Sequence, residues 1–112
     1  MTLWFIRGLC RGVVTTRYPA RPDASAASLP TPPAFRPQGL TRQVADRLVG
    51  VCPSGALRRD GSVLVYDVGR CTACGRCAAE APHAVTRSGE FELATADRSA
   101  LVKNIPVQQE AP

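Results

Sequence analysis

Three cysteines, Cys71, Cys74 and Cys77, recur at every third position within Gly69-Arg70-Cys71-Thr72-Ala73-Cys74-Gly75-Arg76-Cys77. Short turns of backbone can wrap three thiolates at that spacing around a single point. A fourth, Cys52, stands nineteen residues upstream and is followed at once by Pro53. Three close thiolates and one remote thiolate next to proline are the ligand pattern of a [4Fe-4S] cluster. The expected site is therefore Cys52, Cys71, Cys74 and Cys77, holding one cluster. A zinc ion on the same four thiolates is the main rival, although structural zinc more often uses paired C-x-x-C knuckles. A metal-free relic is the other.

The spacing also carries an internal repeat. Pro53 and Pro82 are 29 residues apart, and the same offset sets Cys52 on Ala81. It sets Cys71, Cys74 and Cys77 on Arg42, Ala45 and Leu48. Both halves thus have the register C-x-x-C-x-x-C-x-x-x-C-P of a two-cluster ferredoxin, in which the fourth cysteine of each run ligates the other cluster. On that crossing rule, Arg42, Ala45, Leu48 and Ala81 all belong to one site, and the four retained cysteines all belong to the other. Losses scattered at random would rarely sort so cleanly. The register predicts one cluster site kept, one erased, and Ala45, Leu48 and Ala81 packed into the vacated space.

At 112 residues, with ten Pro, nine Gly and 5% aromatics, the chain suits one small domain with extensions and a modest core. Domains of this size often draw stability from a metal or a partner. Thirteen of the fourteen basic residues are Arg, the net charge is +5, and the stretch 1–36 holds five Arg against the single acid Asp23. That segment suits an acidic protein partner or an anionic membrane surface; a solvated Arg-rich surface is the plainer reading. Nucleic acid is not expected, because no stacking aromatics or recognition helix accompany the charge. Five cysteines are an odd set for a secreted disulfide scaffold. Arg7 interrupts the apolar start, which argues against a secretory signal, and no window reaches the ~20 apolar residues of a membrane span. The expected setting is a reducing cytoplasm, with an organellar transit peptide as the alternative for the acid-poor start.

Taken in order, residues 1–18 read as an N-terminal docking arm. Leu3, Trp4, Ile6, Leu9 and Cys10 against Arg7 and Arg11 suggest a short amphipathic helix, and 13–18 is rich in β-formers. The Pro-rich stretch 19–40 reads as a linker. From 41 to 103 the pattern is that of the cluster domain. Thr41 caps a helix with Val44, Leu48 and Val51 on one face, and Asp60-Gly61 turns a hairpin. A second hairpin is expected around Ser88-Gly89, and Asp97 caps a last turn. The tail 104–112 is expected to be loose. Cys10 reads as a free thiol and His83, the one histidine, as a surface residue.

The segments Gly12-Val13-Val14-Thr15-Thr16-Arg17-Tyr18-Pro19, Cys52-Pro53-Ser54-Gly55-Ala56-Leu57, the Gly69–Cys77 run and Phe91-Glu92-Leu93-Ala94 carry a resemblance. The chain resembles the ferredoxin-like iron–sulfur subunit of energy-converting [NiFe] hydrogenases and formate hydrogenlyase, related to the ferredoxin-like subunit of complex I. The resemblance implies an α+β fold with a pseudo-two-fold (βαβ)2 core and an extended N-terminal arm lying at the membrane-arm junction. It implies a one-electron-transfer subunit, not catalytic alone, bound to other subunits of such an assembly on the cytoplasmic face of the membrane. The family carries two [4Fe-4S] clusters, and Cys52, Cys71, Cys74 and Cys77 take the second-cluster role. Where Arg42, Ala45, Leu48 and Ala81 depart from the pattern, the two-cluster relay is broken. A structural or assembly subunit, with the cluster as a folding staple, is the competing reading.

Overall fold

The computed structural model describes residues 3–13, 15, 17–23 and 28–109. Among the described residues the chain is a mixed α/β protein with three α-helices and two small antiparallel sheets. Helix α1 (Trp4–Arg11) is followed by β1 (Pro33–Phe35), α2 (Arg42–Val51), β2 (Leu57–Asp60), β3 (Val63–Asp67), α3 (Arg76–Glu80), β4 (Val85–Arg87) and β5 (Val102–Pro106).

Helix α2 forms where its apolar period and its cap agree. The Thr41 hydroxyl accepts the Val44 N–H, satisfying one of the donors that a helix start leaves free. Ala45 and Leu48 then face inward and are completely buried. Strands β2 and β3 close the expected hairpin, with Asp60 opposite Val63 and Gly61 at φ 57° in the turn. Strand β3 is paired on its other edge with β5, Leu64 opposite Ile105. Leu64 and Tyr66 point from one face of β3 into the core that also contains Leu40, Leu48, Val85 and Val107. Each fully buried Leu or Val contributes about 1.5–3 kcal/mol.

Three sequence expectations are corrected. The Pro-rich stretch does not remain a linker to residue 40. Pro33, Ala34 and Phe35 pair with Arg87, Thr86 and Val85, Thr31 Oγ1 accepts the Gly89 N–H, and Leu40 is fully buried. Proline is tolerated there because a two-stranded sheet is all edge and needs no N–H from Pro33 on its open side. The hairpin expected around Ser88-Gly89 does not form: β4 spends its ladder on β1, and 90–93 is not a strand. The tail is not loose from residue 104, since β5 runs to Pro106, Val107 N–H bonds Ser62 O and Gln108 N–H bonds Leu40 O. Asp97 does cap a turn, a 3-10 one over Arg98–Leu101.

The N-terminal arm stands apart from this core. Helix α1 forms as expected yet buries none of its residues; Trp4 and Leu9 are about three-quarters exposed. The β-prone run 13–18 lies partly outside the described residues, and its described members form no strand. The radius of gyration, 19.5 Å, exceeds the ~13 Å of a compact chain this long. The arm touches the core region where the Tyr18 ring packs on Phe91 at 5.5 Å and its hydroxyl donates to the Glu92 carboxylate. Among the described residues no helix is long and apolar enough to cross a membrane.

Candidate metal centre

The four cysteines are delivered by three kinds of local structure. Cys52 is the residue that ends α2, where Pro53 forbids another helical turn. Cys71 ends a 3-10 turn over Val68–Arg70, itself opened by the Asp67 carboxylate accepting the Gly69 N–H at 3.0 Å. Cys77 lies in the first turn of α3, and Cys74 in the loop between. That loop bends through two left-handed residues, Ala73 at φ 54° and Gly75 at φ 78°. Gly75 is the position where only glycine enters without cost.

These bends bring the expected residues together. Cys52, Cys71, Cys74 and Cys77 line one hollow, along with Phe35, Ser54 and Tyr66. All four are free thiols; Cys74 is exposed and the others are half-buried. Among the described residues, no three His, Cys, Asp or Glu side chains stand close enough to hold a single metal ion. Cys10 is far along the arm, exposed on α1, and His83 is a surface residue whose ring edge packs over Gly39.

The electrostatics differ from thiol to thiol. Burial pushes the Cys52 pKa up, but the Ser54 hydroxyl at 3.5 Å and the N–H groups of Ala56, Ser54 and Leu57 outweigh it, leaving the value below that of an ordinary thiol. Cys77 is pushed above it, by burial first and then by negative charge on Cys71 and Cys74, against the pull of the Ala78 N–H. A bound cationic centre would relieve the repulsion that Cys71 and Cys74 exert on the Cys77 thiolate. Cys71 Sγ already accepts the Ala73 N–H at 3.4 Å.

Tyr66 was not singled out in the sequence, and it is the site's most unusual group. The residue is 2% exposed, yet its hydroxyl makes no hydrogen bond. Among the side chains around it, Cys71 acts on it most strongly. Burial first, then the neighbouring sulfurs of Cys71, Cys77 and Cys52, raise its pKa far above the usual tyrosine value. A buried, unsatisfied hydroxyl costs about 1–3 kcal/mol. The one available signal was alternation along β3, which sets Tyr66 on the core side with Leu64.

The other half of the repeat is built differently. Arg42, Ala45 and Leu48 lie on continuous helix, whereas the residues 29 positions later form the loop and short helix around Cys71, Cys74 and Cys77. Ala45 and Leu48 are fully buried, Ala81 is 2% exposed, and all three are in the core; Arg42 is on the surface. The expectation that small and aliphatic residues fill this region holds.

Gly69 answers a need other than the one its place in the cysteine run suggests. A Cβ there would come within 2.9 Å of the Arg98 guanidinium rather than crowd the cysteine hollow. Arg98 reaches over Gly69 to bond both Asp67 oxygens, at 2.8 and 2.7 Å. This fork pins the turn that precedes Cys71. Arg70, largely exposed, lies 3.7 Å from the same carboxylate, and Arg76 is exposed as well. Arg98 holds the Asp67 pKa below its ordinary value. The pair's stabilisation is therefore complete above that ordinary value and is lost as pH falls through the lowered one. Arg98→Ala is expected to flatten the fall of melting temperature below about pH 4; an acid limb as steep as wild type would show that the fork adds nothing.

No protein-family model matches the chain, and no curated protein matches it significantly.

Proposed function

We propose that the chain holds one [4Fe-4S] cluster on Cys52, Cys71, Cys74 and Cys77 and acts as a one-electron-transfer subunit of a membrane-associated hydrogenase or complex I-like oxidoreductase. The observation that carries the reading is that these four thiols, separated by up to 25 residues, line the same hollow. When bound, the cluster supplies a one-electron redox couple. The protein's part is to supply four sulfurs, donate N–H groups such as that of Ala73, and close water out with Phe35 and Tyr66. A ferredoxin-like core is supported by the order β1–α2–β2–β3–α3–β4, with β1 on β4 and β2 on β3. A pseudo-two-fold (βαβ)2 core would pair its strands in this way.

The cytoplasmic face is what the family resemblance implies, and docking against other subunits or a membrane surface is supported by α1. Its exposed Leu3, Trp4, Phe5, Ile6 and Leu9, with Arg7 and Arg11 between, are surface that a partner or a membrane interface would cover. Anaerobically purified or reconstituted protein is expected to contain about four iron and four sulfide per chain, the cubane stoichiometry. About eight iron, or one zinc, would overturn the assignment.

One observation favours a staple rather than a relay. Helix α3 has five residues and buries none of them fully, so the segment 71–80 leans on whatever its cysteines hold. Redox behaviour separates the two: a relay cluster is reduced by the complex's own donor, and a staple is not.

A further inference from the structure

We propose that the Tyr66 hydroxyl donates a hydrogen bond to the Cys71 sulfur once that sulfur is a cluster ligand, and that this bond raises the cluster's reduction potential. The inference rests on the [4Fe-4S] reading above and assigns a positioning and tuning role to a residue of the same site.

Its warrant is the unsatisfied hydroxyl. A buried tyrosine O–H almost always finds a partner, and in this site the oxygen is inaccessible to solvent and unbonded. Tyr66 cannot easily turn away to find one. Its backbone sits in β3, paired to Leu57 on one side and Lys103 on the other. Its ring is held by Phe35, edge to face at 5.0 Å and 60°. The side chain therefore delivers its hydroxyl to the wall of the cysteine hollow and keeps it there.

Ser54 and Thr72 also line that wall, but the side chain that acts most strongly on the Tyr66 hydroxyl is Cys71. A neutral thiol is a poor acceptor, which fits the absence of a formed bond, whereas a ligand thiolate carries the charge that makes O–H···S bonding favourable. Among the described residues, the only other donor on the Cys71 sulfur is the Ala73 N–H, at 3.4 Å.

The effect on potential follows from charge. Reduction would add one electron to the iron–sulfur core and make its ligand sulfurs more negative, so a donor fixed on a sulfur would stabilise the reduced form more than the oxidised one. The phenol keeps its proton throughout, so no proton accompanies the electron. Removing the hydroxyl while keeping the ring makes reduction harder. Tyr66→Phe is expected to lower the equilibrium constant for reduction about tenfold, which is about 59 mV for one electron.

The test uses the full chain, loaded with iron and sulfide under anaerobic conditions, as wild type, as Tyr66→Phe and with 3-fluorotyrosine at position 66. Iron content is measured for each, and the midpoint potential is followed by EPR. Support consists of about four iron in wild type and Y66F, a lower potential in Y66F, and a higher one with the more acidic fluorophenol. Should Y66F fail to hold the cluster, the fluorinated protein decides: an upward shift supports the bond, and an unchanged potential overturns it. Equal potentials in all three loaded proteins overturn the bond while leaving the cluster reading intact. A wild-type chain that binds no cluster overturns both.

Discussion

Leu48→Ala is expected to destabilise the protein by about 3 kcal/mol, within the range of a buried leucine truncated in a well-packed core. Leu48 is fully buried and meets a set that includes Leu40, Leu64, Ala81 and Val85. The void cannot close easily. The helix carrying Leu48 is fixed by the Thr41 cap at its start. Its neighbours are held by the Gln108–Leu40 and Val85–Ala81 backbone bonds. For a domain of this size the loss corresponds to a melting temperature lower by roughly 10–20 °C. The control is Leu9→Ala on the arm. Leu9 is about three-quarters exposed, and its truncation is expected to stay within about 0.5 kcal/mol. Denaturant unfolding of the two variants checks both values. A Leu48→Ala loss below 1 kcal/mol would mean that α2 does not pack as described.

That contrast bears on the repeat. Leu48 stands 29 residues before Cys77, in the same register of its half. One position is occupied by a core leucine on a ten-residue helix, and the other by a half-buried thiol on a five-residue one. Apolar burial stabilises the first half directly. The second half has its Ala81, Ala84 and Val85 in the core, but its ligand loop contributes little to it.

Much of this was legible in the sequence, and the exceptions share one physical cause. Helix α2 and the hairpin at Asp60-Gly61 were readable because a local cap, a local period and a local turn each declare themselves within a dozen residues. The four-cysteine set was readable because ligand spacing is also written along the chain. Strand β1 was not, because its evidence is its partner: Pro33–Phe35 looks like proline-rich linker until it meets 85–87, some fifty residues later. The same partner explains the misassigned hairpin, since Ser88-Gly89 makes a good local turn that loses to a distant ladder. Strand β5 was mistaken for tail because its order comes from lying along β3, and Ile105 gains shelter only opposite Leu64. Tyr66 illustrates the limit most sharply. Its position on a core-facing strand was predictable, but whether its hydroxyl finds a partner depends on atoms brought in from three other segments.

Cluster removal is expected to unfold the ligand segment 69–80 and spare the rest of the core. Taking the iron out with a chelator under reducing conditions should leave amide protection in α2 and in β2–β3–β5 nearly unchanged, while protection across 69–80 falls toward that of an exposed loop. The reasoning is a comparison of what each segment has left. Helix α2 keeps its cap, two fully buried side chains and the seal formed by Leu40 and Val107. The segment 71–80 keeps a loop with two left-handed residues, a helix too short to be stable alone, and a Cys77 thiol whose ionisation is opposed by burial and by its cysteine neighbours. The Asp67–Arg98 fork anchors only its entrance. Hydrogen exchange read by mass spectrometry gives the answer segment by segment, and Cys74→Ser should reproduce it without a chelator by weakening the cluster through its most exposed ligand. Uniform loss of protection across both halves would show that α2 depends on the cluster after all. No change at 69–80 would show that the loop is held by protein alone, and the staple reading would then fail.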